Sequence, residues 1–66
     1  MIETTLHSPD IFLHHAILNL LASGQSTAEA LAALLNTDLG RTRVALASLV
    51  AQGRVARVGI LFGLAR

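Results

Sequence analysis

The stretch from residue 26 to residue 53 leaves this chain the fewest folding options. It reads STAEALAALLN, then TD, then LGRTRVALASLVAQG. Ser26-Thr27-Ala28-Glu29 has the spacing of a capping box, in which the Ser26 hydroxyl accepts from the N–H of Glu29 and the carboxylate reaches back. Leu31, Leu34 and Leu35 then recur at helical spacing and predict an apolar face. Asn36 tolerates the left-handed conformation that ends a helix, and Asp38 suits the cap of the next one. Leu39, Thr42, Leu46, Leu49 and Val50 line one face of that second helix, and Gly53 suits its end. The stretch therefore predicts a short helix, a tight turn and a longer helix.

The remaining residues add one element before this pair and one after it. Ser8-Pro9-Asp10 opens a helix with a hydroxyl cap, a proline in the first turn and an acid near the positive helix end. That helix is expected over residues 9–23, closed by Ser23-Gly24. Leu13, Ala16, Ile17, Leu20 and Leu21 form its main stripe. Ile11, Leu18 and Ala22 form a second stripe. After Gly53 the pattern becomes strand-like: two short runs over residues 54–65 flank Gly59-Ile60, which suits a type II′ hairpin turn. In that register Val58 faces Leu61, Arg57 faces Phe62 and Val55 faces Leu64. Residues 1–8 contain the β-forming run Ile2-Glu3-Thr4-Thr5-Leu6, a short strand or an arm. The expected core is Leu13, Ile17, Leu20, Leu31, Leu35, Leu46, Leu49 and Val55.

Sixty-six residues make one domain, residues 1–66, with no cysteine to brace it. With 53% hydrophobic and 14% charged residues, so small a body cannot hide all its apolar side chains. An exposed apolar patch follows, and such patches mark partner or self-association surfaces. Ile11, Leu18, Ala22, Ile60 and Leu61 are the expected interface, for a homodimer or another protein partner. No apolar run approaches the roughly 20 residues of a membrane span. The start, MIETTLH, has no basic region. The expectation is a cytoplasmic protein with no membrane contact.

Charge is unevenly placed. Residues 1–37 hold Glu3, Asp10 and Glu29 and no Lys or Arg, whereas residues 38–66 hold five Arg against Asp38. There is no lysine anywhere. Arginine suits forked recognition of phosphate and of guanine edges; a GC-rich codon habit is the bland alternative.

Helix, helix, turn, helix, hairpin resembles the winged helix-turn-helix domain. The resemblance rests on Ser26–Glu29, on Leu46 and Leu49, and on Leu49-Val50-Ala51-Gln52-Gly53-Arg54-Val55-Ala56-Arg57-Val58-Gly59. That passage is similar to the L-x-x-x-G-x-V-x-R junction of recognition helix and first wing strand in many small bacterial regulators. The fold class implied is mostly α (α+β), three helices and a C-terminal β-hairpin. The function implied is duplex-DNA binding in transcription regulation. Recognition-helix contacts would fall on Gly40, Arg41, Arg43, Val44, Ala47 and Ser48, and wing contacts on Arg57 and the Gly59-Ile60 tip. DNA-reading wings are usually longer and polar at the tip, and this one offers Ile60 and Leu61.

Each candidate has an ordinary reading beside the functional one. Arg41 and Arg43 can fork onto guanine, with Val44 or Ala47 against a thymine methyl, or can be a solvated face. Arg54 and Arg57 can hold phosphates or be edge-strand charge. His7, His14 and His15 invite a metal, but Asp10 and His14 alone make a poor site, since structural zinc takes four ligands. No catalytic constellation and no phosphate loop is present, so no enzyme, cofactor or metal is expected. A winged-helix interaction module or a self-associating subunit, using the apolar hairpin and the first helix, is the alternative to a DNA reader.

Overall fold

The computed structural model describes residues 8–65. Three helices, α1 (Ser8–Leu21), α2 (Ala28–Leu35) and α3 (Leu39–Ala51), are followed by strands β1 (Val55–Val58) and β2 (Leu61–Leu64). This is the expected α+β order. The expected arm or strand at residues 2–6, and His7, lie outside the described residues.

Sequence chemistry accounts for the helix ends, with one correction. The capping side chain of α2 is Thr27, which accepts from Ala30 N at 3.1 Å, and not Ser26. Ser26 is held in extended backbone instead. Its N–H donates to the Phe62 carbonyl (3.0 Å) and its carbonyl accepts from Phe62 N–H (2.8 Å). The helix therefore starts one residue later than the Ser26–Glu29 spacing implied. Glu29 cannot complete a reciprocal box from this position.

At the other end, Asn36 sits at φ 54, ψ 48. Thr37 N–H reaches the Ala32 carbonyl at 3.0 Å and Asn36 N–H the Ala33 carbonyl at 3.2 Å. This is the Schellman pattern, which uses up carbonyls left over at a helix end. Asp38 caps α3 as expected, accepting from Arg41 N at 3.0 Å. A second Schellman pattern closes α3, with Arg54 N–H on the Leu49 carbonyl at 3.0 Å and Gly53 N–H on the Val50 carbonyl at 2.9 Å. Gly53 there has φ +77, a conformation that disfavours any Cβ.

The hairpin has the expected register: Val55↔Leu64, Arg57↔Phe62 and Val58↔Leu61. Gly59 has φ +64, and Ile60 is not among the positive-φ residues, as a II′ turn requires. Because the Phe62 backbone bonds outward to Ser26, β2 lies between β1 and a one-residue bridge. The hairpin is thus tied to the loop that precedes α2.

The core is Ile17, Leu21, Ala28, Leu31, Ala45, Leu46, Leu49 and Val55, with Leu13, Leu18, Leu20, Leu35, Leu39 and Phe62 packed on it. Thr42 is fully buried and its hydroxyl donates to the Asp38 carbonyl at 3.0 Å, so its polar group is not stranded. Three apolar assignments change. Leu34 is 66% exposed and Val50 38% exposed. At about 100° per residue, Leu34 lies well round from the Ala28/Leu31/Ala32/Leu35 arc. Val50 lies about a quarter-turn from the centre of the Thr42/Ala45/Leu46/Leu49 arc. Leu18 packs partly on the core and so is not a free member of the second α1 stripe. Phe12, 73% exposed, occupies the solvent face of α1 together with Ile11.

Candidate nucleic-acid interface

Helix α3 packs on α1, α2 and β1 along one arc only. Its opposite arc is Gly40, Val44, Ala47 and Ala51, all exposed, with Val44 at 72%. These four recur at helical spacing and form a small, apolar ridge. Arg41 and Arg43 are both exposed but lie on opposite flanks of that ridge, about 200° apart at the helical pitch. Ser48, beyond Arg41 on the same flank, is half-buried and accepts from Gln52 Nε2 at 3.2 Å. Gln52 escaped the sequence reading, although its i+4 spacing from Ser48 was visible.

The two flanks differ in electrostatics. Arg41 has its backbone N–H on the Asp38 carboxylate and no side-chain partner among the described residues. Arg43 Nη2 meets Glu29 Oε2 at 3.5 Å, both side chains well exposed (62% and 65%). Such a pair contributes at most about 1 kcal/mol and yields to a stronger anion. Freed from the capping box, Glu29 came to face Arg43 instead. Gly40 has a local reason to be small: a Cβ there would come within 2.9 Å of Asp38 Oδ2, in the cap itself.

The hairpin supplies the other two candidate arginines. Arg54 is exposed at the exit of α3, its carbonyl accepting from Ala65 N–H at 3.0 Å. Arg57 shares a strand face with Val55, which is 2% exposed and packed on the core. That face turns Arg57 toward α3, where it borders the groove while staying exposed. Its Nε donates to the Gly59 carbonyl at 3.0 Å, which fixes the guanidinium. Ile60, 75% exposed, is the hairpin tip, whereas Leu61 is partly covered and so is a weaker interface candidate than expected.

Between α3, the start of α2 and the hairpin runs a groove of about 650 Å³. Ala47, Val50, Ala51, Ile60 and Phe62 supply apolar walls, and Arg43, Arg57 and Glu29 the charged groups. Residue spacing along α3 marks 43, 47 and 51 as one line. Nothing in the sequence alone brings Phe62 and Arg57 against that line.

Of the histidines, His14 is half-buried and His15 exposed. No three His, Cys, Asp or Glu converge among the described residues. No described helix is long and apolar enough to cross a membrane. Comparison with protein-family models, with curated proteins and with solved structures gives no match, so the site is read from its own residues.

Proposed function

We propose that this chain is a cytoplasmic, duplex-DNA-binding module of the winged helix-turn-helix kind, acting as a homodimeric transcription regulator. One observation carries the reading. An open helix face, small enough for close approach, has a guanidinium on each flank, and two more arginines follow at its C-terminal end. A major groove about 12 Å wide admits such a helix. Arg41, unpaired with any described carboxylate, is the base reader, with Val44 and Ala47 against thymine methyls and Ser48 at the groove edge. Arg43, Arg54 and Arg57 are phosphate contacts that set position and carry no sequence information. No catalytic role is assigned to any residue.

The test is anisotropy titration of labelled mixed-sequence duplex at two salt concentrations. Affinity should fall steeply as salt rises. Absence of binding, or binding indifferent to salt, would remove the proposal.

A second reading has its own support in the apolar surface. Val44, Val58 and Ile60 are each more than 60% exposed, on α3 and at the outer end of the hairpin. A protein-interaction module of the same architecture would use this surface and leave Arg41 idle. Ile60→Asp should abolish partner capture under that reading and leave DNA affinity nearly unchanged under the first.

A further inference from the structure

The groove beside α3 has chemistry that a DNA backbone does not use. Its volume, about 650 Å³, falls inside the roughly 300–1,000 Å³ of small-molecule sites. Its walls are mainly apolar, with a few polar groups. A phosphodiester would satisfy the guanidinium groups and leave Val50 and Phe62 facing a polar chain. We infer that this groove binds a small amphipathic carboxylate, its acyl or aryl body against Ala47, Val50 and Phe62 and its carboxylate on Arg57 and Arg43.

Three features favour that occupant. Guanidinium forks match carboxylates in a planar, two-point geometry. Arg57 is already oriented, because its Nε is held by the Gly59 carbonyl at 3.0 Å, leaving its terminal amino groups to donate. Arg43 holds a stand-in already: the Glu29 carboxylate at 3.5 Å, exposed and weakly bound. A ligand carboxylate backed by apolar burial gains what Glu29 cannot, since burying apolar surface adds to the charge-assisted hydrogen bonds. The ligand occupies Arg43, Arg57 and Ala47, the same groups that the proposed DNA complex uses, so the two ligands exclude one another. The inference stands whether or not DNA binds, and its test contains no nucleic acid.

Sodium octanoate, kept below its micelle concentration, is titrated into the ¹⁵N-labelled protein while amide shifts are recorded. The expected result is saturable shifts centred on Ala47, Ala51 and Phe62. 1-Octanol, with the tail but no charge, should bind about tenfold more weakly or worse, as should the Arg43→Gln/Arg57→Gln double variant. Glu29→Gln should tighten octanoate binding by removing the internal competitor. Ala47→Leu, on an exposed helical position that accepts leucine, should fill the floor and abolish binding with thermal unfolding unchanged. Shifts that never saturate and spread over α1, equal binding of octanol, or undiminished binding to Ala47→Leu would each overturn the inference. So would shifts at the same amides that follow protein concentration rather than octanoate, since these would assign the groove to a second copy.

Discussion

At the scale of single residues, the helix caps show how far a short motif can be trusted. Asn36, Asp38 and Gly53 act where their chemistry places them. Ser26 does not, because its backbone is committed to Phe62, a residue far along the chain. A capping box is a local pattern, and no local pattern announces a long-range bridge. Thr27→Ala should therefore cost about 1 kcal/mol of stability. Ser26→Ala should cost only a few tenths, since its bridge uses main-chain atoms. Urea midpoints of the two variants decide the matter, and equal losses would return the cap to Ser26. The same displacement gives Glu29 its place opposite Arg43. If Arg43 is a phosphate contact, Glu29→Gln should raise DNA affinity and steepen its salt dependence. In an Arg43→Ala background the same substitution should do much less. A double-mutant cycle by anisotropy reads that coupling, and additive effects would separate Glu29 from the interface.

At the scale of elements, periodicity identified the three described helices and the hairpin register, and it blurred at the edges of each buried arc. Leu49 and Val50 are neighbours that read as one helix face, yet one is fully buried and the other sits at the groove rim. The difference is a rotation of about 100°, which decides whether α1 or solvent is met. Conversely Ala28, Ala32 and Ala45 are buried, and alanine carries too little apolar signal to be noticed in a sequence rich in it. Leu49→Ala should cost about 2–5 kcal/mol. A domain of this size holds about 3–10 kcal/mol in all, so that variant should lose a large share of its stability and unfold at a much lower denaturant midpoint. Val50→Ala should stay below about 1 kcal/mol. Circular dichroism with a denaturant titration compares them. A folded Leu49→Ala of nearly native midpoint would mean that the core is not where α3 meets α1 and β1.

At the scale of the molecule, the fold was legible because caps, stripes and turn residues agree, while the groove was not, because it joins α3 to residues on the hairpin. The arginines could be named from the sequence, and helical pitch already separates Arg41 from Arg43, but the turn of Arg57 toward the groove could not be read there. Part of the apolar surplus lies away from those arginines, on α1, where Ile11 is 53% and Phe12 73% exposed. From Ile11 to Leu21 that helix carries no Asp, Glu, Lys or Arg, so two copies meeting there bring no like charges together. A dimer through α1 leaves both α3 faces open to DNA. Sedimentation equilibrium at micromolar concentration should show the dimer. Phe12→Asp should give a folded monomer, because the side chain is outside the core.

The dimer also predicts a salt slope. If Arg43, Arg54 and Arg57 each neutralise one phosphate, a dimer should give d log K/d log[salt] near about −5, and the Phe12→Asp monomer near about −3. Arg41→Ala should then separate reading from holding. As a base reader it should cost about 1–3 kcal/mol on the preferred site and flatten discrimination at one base pair. As a phosphate contact it should weaken all sequences alike and lower each slope by about one unit per copy. Arg57→Ala should follow the second pattern only if the hairpin reaches the backbone. If instead the Arg41→Ala/Arg43→Ala double variant binds duplex DNA as tightly as the parent, α3 is not the recognition element. The exposed Val44 and Ile60 would then carry the function, as in the protein-interaction reading.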